Sequence, residues 1–139
     1  MNDVPLRHPG NGAVLFTQKE LACRSDGVTM RFAKGFLDHL LTLRLTLDRP
    51  MRVGPENSCS RTPARNAQID GAANSYHLTE GNTSDGTCAI DVHSPDDAYR
   101  HRLVAAALAL GWSVGVYRTF VHLDRRVDFG APAIVFWGK

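Results

Sequence analysis

Cysteine is scarce and unpatterned: Cys23, Cys59 and Cys88 are the three present, and no Cys-x-x-Cys spacing occurs. This excludes a disulfide-stapled scaffold and a cysteine zinc site, and three reduced thiols are expected, with a single Cys59–Cys88 bridge as the alternative. Long hydrophobic runs are also missing. The longest, LVAAALAL from Leu103 to Leu110, is too short to span a bilayer, so no membrane insertion is expected. The opening stretch MNDVPLRHPGNGAVLF lacks the uninterrupted apolar segment of a secretory signal, which predicts a chain held in the cytoplasm at synthesis. Neither sign of charge dominates. Sixteen basic residues face fourteen acidic ones, for a net charge of +2, and the arginines form no continuous basic stripe, so nucleic acid is not an expected partner. An HExxH helix, internal repeats and low-complexity tracts are absent as well.

What is present suits one domain of 139 residues with 43% hydrophobic content, enough to bury a core without disulfides. Residues 1–15, with Pro5, Pro9, Gly10 and Gly12, read as a lead-in segment to a domain over residues 16–139. Thr17 and Glu20 have capping-box spacing and predict a short helix that stops near Gly27. Apolar residues recur at helical steps from Met30 to Leu47, and Arg49-Pro50 should end that helix. Met51 to Val53 suggests a short strand, and residues 54–88 lose periodicity. A structureless stretch of that length inside a compact domain points to function or disorder. Ala89 to Val92 reads as a strand. Ser94-Pro95-Asp96-Asp97 predicts a Ser-capped helix ending at Gly111. Trp112 to Tyr117 and Phe120 to Asp124 predict a hairpin, and Ile134 to Trp137 a last strand. The pattern is α+β: a small, mainly antiparallel sheet packed with helices.

The candidate chemistry lies in polar residues set in apolar surroundings. Of six histidines, His77 stands in a polar loop and His122 inside an apolar strand. Asp124, two residues on, shares a strand face with His122. Asp91 is a carboxylate in another apolar strand. Such groups are costly in a sheet core unless partnered. A metal shared by His77, Asp91 and His122 would partner them, and so would a buried polar network without metal. Two imidazoles and one carboxylate leave a fourth position open on Zn²⁺, the arrangement of a catalytic site.

Five segments, taken in order, resemble the peptidase M15 family of zinc D-Ala-D-Ala carboxypeptidases and phage endolysin peptidases, whose fold is shared with the hedgehog domain. Phe16 to Arg24 resembles the family's opening segment. Asn57 to Asn66, containing Cys59, Ser60 and Arg61, resembles Ser-Gly-Tyr-Arg-Ser-Pro…Asn. Gly71 to Leu78 resembles Gly-Ala-x-Ser-x-His-Leu. Ala89-Ile90-Asp91-Val92 resembles the ligand strand, and Tyr117 to Arg125 the closing Tyr…Phe-Val-His-x-Asp strand. The resemblance covers Phe16 to Trp137 and is closest to the family's short phage and bacterial branch, its subfamily A.

It implies a zinc enzyme that hydrolyses D-amino-acid-containing stem or cross-link peptides of bacterial peptidoglycan, as a carboxypeptidase or an endopeptidase; a monomer is expected. His77, Asp91 and His122 would be the ligands. Arg61 would hold a substrate carboxylate and act in catalysis, with Ser75 beside it, and Asn66 and Ser75 would brace the loop. The family's acid three residues before the last histidine is Thr119 here. Asp124 is therefore the candidate general base, with a carboxylate that orients His122 as the other reading; His93 and Glu80 rank lower. His77 and Asp91 stand fourteen positions apart, against seven in the family, so about seven residues around 81–87 are additional and are read as a lid or rim. Asp85 stands near the family spacing, but in a Gly-flanked turn. A phage setting, with delivery to the wall by other machinery, fits this reading. The alternative is a catalytically inactive module of the same fold.

Overall fold

In the computed structural model, which describes residues 4–54 and 59–139, two short strands open the chain, β1 (Leu6–Arg7) and β2 (Val14–Phe16). They are followed by α1 (Gln18–Leu21), α2 (Phe36–Leu47), α3 (Pro63–Gln68), β3 (Ala89–His93) and α4 (Asp97–Ala109). The chain closes with β4 (Ser113–Val116), β5 (Phe120–Asp124), a 3-10 turn (Arg126–Phe129) and β6 (Phe136–Gly138). Asn57 and Ser58, the start of the arginine motif, lie outside the described residues.

The main sheet has the order β3-β5-β4-β6. β5 runs antiparallel to both β3 and β4, while β6 lies parallel to β4, which gives the expected α+β architecture with a mainly antiparallel sheet. Alternation makes the sheet two-sided. Ile90, Val92, Val114, Val121 and Leu123 are fully buried on one face. They join Phe36, Leu40 and Leu43 of α2, Leu103 and Ala107 of α4, and Trp112 in one core. Each large side chain buried there contributes about 1.5–3 kcal/mol. The opposite face places Asp91 across from His122, and Gly115 on the far side of His122.

Several boundaries differ from the sequence expectations. The Thr17–Glu20 capping box forms as expected, but α1 ends at Leu21, because Ala22 is already extended at ψ 163°. Helix α2 starts only after Gly35, at φ 82°. The preceding residues are held as extended chain: Phe32 bridges Thr87, and Ala33 N–H donates to the Thr87 carbonyl. Helix α4 is capped by Asp96, whose Oδ1 accepts from Tyr99 N–H. Ser94 N–H instead donates to the Thr119 carbonyl and stays with the sheet. Residues 51–53 contribute one bridge, Val53 to Val92, rather than a strand. The lead-in contains the β1–β2 ribbon, with Leu6 in the core. Helix α3 interrupts the stretch read as irregular; Thr62 caps it and Pro63 takes its first turn. All three cysteines are free and buried.

Candidate metal centre

His77 sits on a loop without regular structure, fastened from several sides. Its carbonyl accepts from Arg61 N–H at 2.9 Å and from Thr87 Oγ1 at 2.8 Å. Its own N–H donates to Ser75 Oγ at 3.2 Å. The additional segment contributes Asn82, whose side-chain amide donates to the Ser75 and Leu78 carbonyls, both at 3.0 Å. That segment therefore braces the His77 loop. Its acid, Asp85, is 74% exposed and pairs with Arg31 at 3.0 Å, so it does not join the group that Asp91 enters.

The other two members come from paired strands. Register sets Asp91 of β3 opposite His122 of β5. His122 Nδ1 lies 3.0 Å from Asp91 Oδ1 and 3.2 Å from His77 Nε2, and His77 Nε2 lies 3.2 Å from Asp91 Oδ2. The outward nitrogens reveal the chemistry. His77 Nδ1 faces the Cys59 carbonyl at 2.8 Å, which can only accept, so that nitrogen carries the proton. His122 Nε2 faces Asp124 Oδ2 at 2.8 Å, and the same logic applies. The inward nitrogens are then the positions left to coordinate an ion. Two imidazole nitrogens and a carboxylate converge, and a shared cation, a metal ion or a proton, would satisfy all three.

Donors bound tetrahedrally at about 2.0–2.2 Å stand about 3.3–3.5 Å apart, close to the spacing found here. The donor set fits zinc.

Electrostatics agree. Burial works against the Asp91 carboxylate, but the imidazoles of His77 and His122 outweigh it and hold its pKa far below the usual range. Burial also opposes charge on His122. The carboxylates of Asp124 and Asp91 outweigh that and lift its pKa to about 9, so without metal a proton serves as the shared cation. Asp124 is held down at about 2 against burial by His122 and Arg126. The three side chains are nearly closed to solvent, at 5% for His77, 3% for Asp91 and 14% for His122, so the group reaches solvent mainly beside His122.

A family model described as peptidase M15 matches residues 14–124. The chain belongs to the peptidase M15 family. Neither the curated proteins nor the solved structures compared with it give a significant match. M15 members are zinc peptidases, and the matched region of this one contains the whole His77–Asp91–His122 group.

The other residues expected to act are placed as follows in this M15 peptidase. Asp124 is fully buried behind His122, with its oxygens engaged by His122 and Arg126. Arg61 is 8% exposed, and its Nη1 donates to Asn66 Oδ1 at 3.1 Å and Ser75 Oγ at 3.4 Å. Burial lowers its pKa, and the Asp91 charge partly restores it. Glu80 and Thr119 are exposed. His93 lies at the end of β3 and lines a separate cavity of about 270 Å³ with Arg52 and Tyr99. Sequence reasoning missed three neighbours of the group. Trp137 lies 5.4 Å from the His122 ring. Arg126 bridges Asp124 to Trp137 and Tyr76. Gly115 faces His122 and lacks the Cβ that would collide with the Trp137 indole. The signal available was Gly115 itself, a glycine inside a strand, which marks close approach.

Proposed function

We propose that this M15 peptidase is a zinc enzyme that hydrolyses peptide bonds of bacterial peptidoglycan, in stem or cross-link peptides containing D-amino acids. The observation that supports the zinc reading is the convergence of His77 Nε2, His122 Nδ1 and the two Asp91 oxygens, with contacts of 3.0–3.2 Å. Zinc held there would lower the pKa of a water and polarise the scissile carbonyl.

The chain's own residues do the rest. His77, Asp91 and His122 hold the ion, each from a different segment. Asp124 keeps the His122 proton on Nε2, so that Nδ1 faces the ion; this is the orienting role rather than that of general base, because both its oxygens are already committed. Arg61, near enough to Asp91 to feel its charge, is suited to hold a substrate carboxylate beside the ion and so to set which bond is presented. Ser75 orients that guanidinium. Delivery to the wall by other machinery belongs to this reading.

The test is cleavage of purified peptidoglycan and of D-Ala-D-Ala-terminated peptides by zinc-loaded protein. Peptide release should stop on chelation and return with zinc, and Asp91→Asn should abolish it. Metal-loaded protein that cleaves neither substrate would support the inactive module instead.

A further inference from the structure

Arg126 lies just past the family match, which ends at residue 124. Its Nε donates to Asp124 Oδ1 at 2.9 Å, its Nη2 to Oδ2 at 2.7 Å, and its backbone N–H to Oδ1 at 3.0 Å. The guanidinium also lies over two rings, with its carbon 5.0 Å from the centre of Tyr76 and 5.1 Å from that of Trp137. Tyr76 directly precedes His77. Trp137 belongs to β6, and its Nε1 donates to the Tyr117 hydroxyl at 3.0 Å. One cation thus touches the His77 loop, the end of the His122 strand and the C-terminal strand.

Asp124 has no exposure to solvent, so its charge depends on the donors around it. His122 supplies one hydrogen bond and Arg126 three. The two-pronged contact fixes the plane of the carboxylate, and the plane of the carboxylate fixes the edge that His122 Nε2 can approach. With that contact gone, the carboxylate is free to turn, and the ring of His122 turns with it, taking Nδ1 away from His77 and Asp91. We infer that Arg126 is a positioning residue for the metal group: clamped between Tyr76 and Trp137, it acts through Asp124 to aim His122 at the ion. The inference rests on the metal reading above and extends the working site into the C-terminal segment.

A purely structural ion pair would stabilise the fold without steering the ring, and two measurements on the full chain separate these roles. Zinc affinity is measured by competition with a chromophoric chelator, and the His122 Nε2–H hydrogen bond to Asp124 by nitrogen-15 NMR of the metal-free protein. Arg126→Gln should lose about 10–100-fold in zinc affinity and should disturb the His122 Nε2–H signal. Arg126→Lys, which keeps charge but not the fork, should recover only part of the affinity. Wild-type affinity and an unchanged His122 signal in folded Arg126→Gln would overturn the inference. If that variant does not fold, Arg126→Lys decides by the same criteria. If the wild-type protein takes up no zinc, the metal reading fails on its own. The His122 Nε2–H signal of the metal-free protein then decides for Arg126: an altered signal in Arg126→Lys supports positioning, and an unchanged one refutes it.

Discussion

An imidazole that faces an obligate acceptor on one side has the chemistry of its other nitrogen decided by that contact. Cys59 does this for His77 and Asp124 for His122, and the result is a pair of nitrogens turned inward beside Asp91, where they could take an ion. Arg61 shows the same principle in a cation. With Nη1 committed to Asn66 and Ser75, the guanidinium has a fixed plane to offer a carboxylate. Arg61→Lys should therefore raise KM at least about tenfold, worth about 1.4 kcal/mol, for a peptide with a free terminal carboxylate. A matched peptide amide should be little affected. Equal rises for both peptides would reduce Arg61 to a brace for the His77 loop. Asp91 and His122 were legible in the sequence because each is a polar group inside an apolar strand, and His77, in a polar loop, through the segment around it that resembles the family's Gly-Ala-x-Ser-x-His-Leu. Arg126 and Trp137 were not. A lone arginine after a strand and a tryptophan near a terminus carry no pattern, and their meaning comes only from what folds against them.

Elements are secured at their ends, and the C-terminus of α4 shows how. Arg125 is only 5% exposed; its Nη1 donates to the Leu110 carbonyl at 2.7 Å, and its guanidinium lies 5.3 Å from the Trp112 ring centre. Asp128, in the 3-10 turn, accepts from its Nε and Nη2 at 2.8 and 2.9 Å. Asp128→Asn removes the partner of a buried cation and should destabilise the protein by about 1–3 kcal/mol at neutral pH. The hydrogen bonds from Arg125 hold the Asp128 pKa below its ordinary value of 3.8. A carboxylate with a depressed pKa stabilises above its unfolded pKa and loses that contribution as pH falls through the folded one. The gap between wild type and Asp128→Asn, read by urea unfolding, should hold near pH 6–7 and shrink below about pH 4. A gap independent of pH would show that the pairing is not its source. Element type was readable from periodicity and caps, whereas boundaries were less so. The apolar spacing of Met30 to Leu47 looks continuous, yet Phe32 and Ala33 pair with Thr87, a partner distant in sequence. Thr62-Pro63 was a readable helix start, overlooked inside a stretch dominated by turn formers.

Across the whole molecule, the candidate metal group joins a loop to two strands, so an ion that binds only the folded chain should hold the fold together. At free zinc a thousandfold above its dissociation constant the gain is about 4 kcal/mol. For a chain of this size that corresponds to a rise in Tm of about 10 °C or more. Calorimetry of zinc-loaded and chelator-treated protein should show that difference, and Asp91→Asn should erase it. Equal melting temperatures for the two wild-type forms would mean that the group holds no ion. The pairing of β3 with β5 carries a further consequence. Because oily and polar side chains alternate along both strands, slipping either strand by a single position would drive Asp91 or His122 into the core and set Ile90 or Leu123 on the site face. A misaligned chain would bury a charge among apolar side chains as it dismantled the site, so the cost of that burial also guards the alignment of the site.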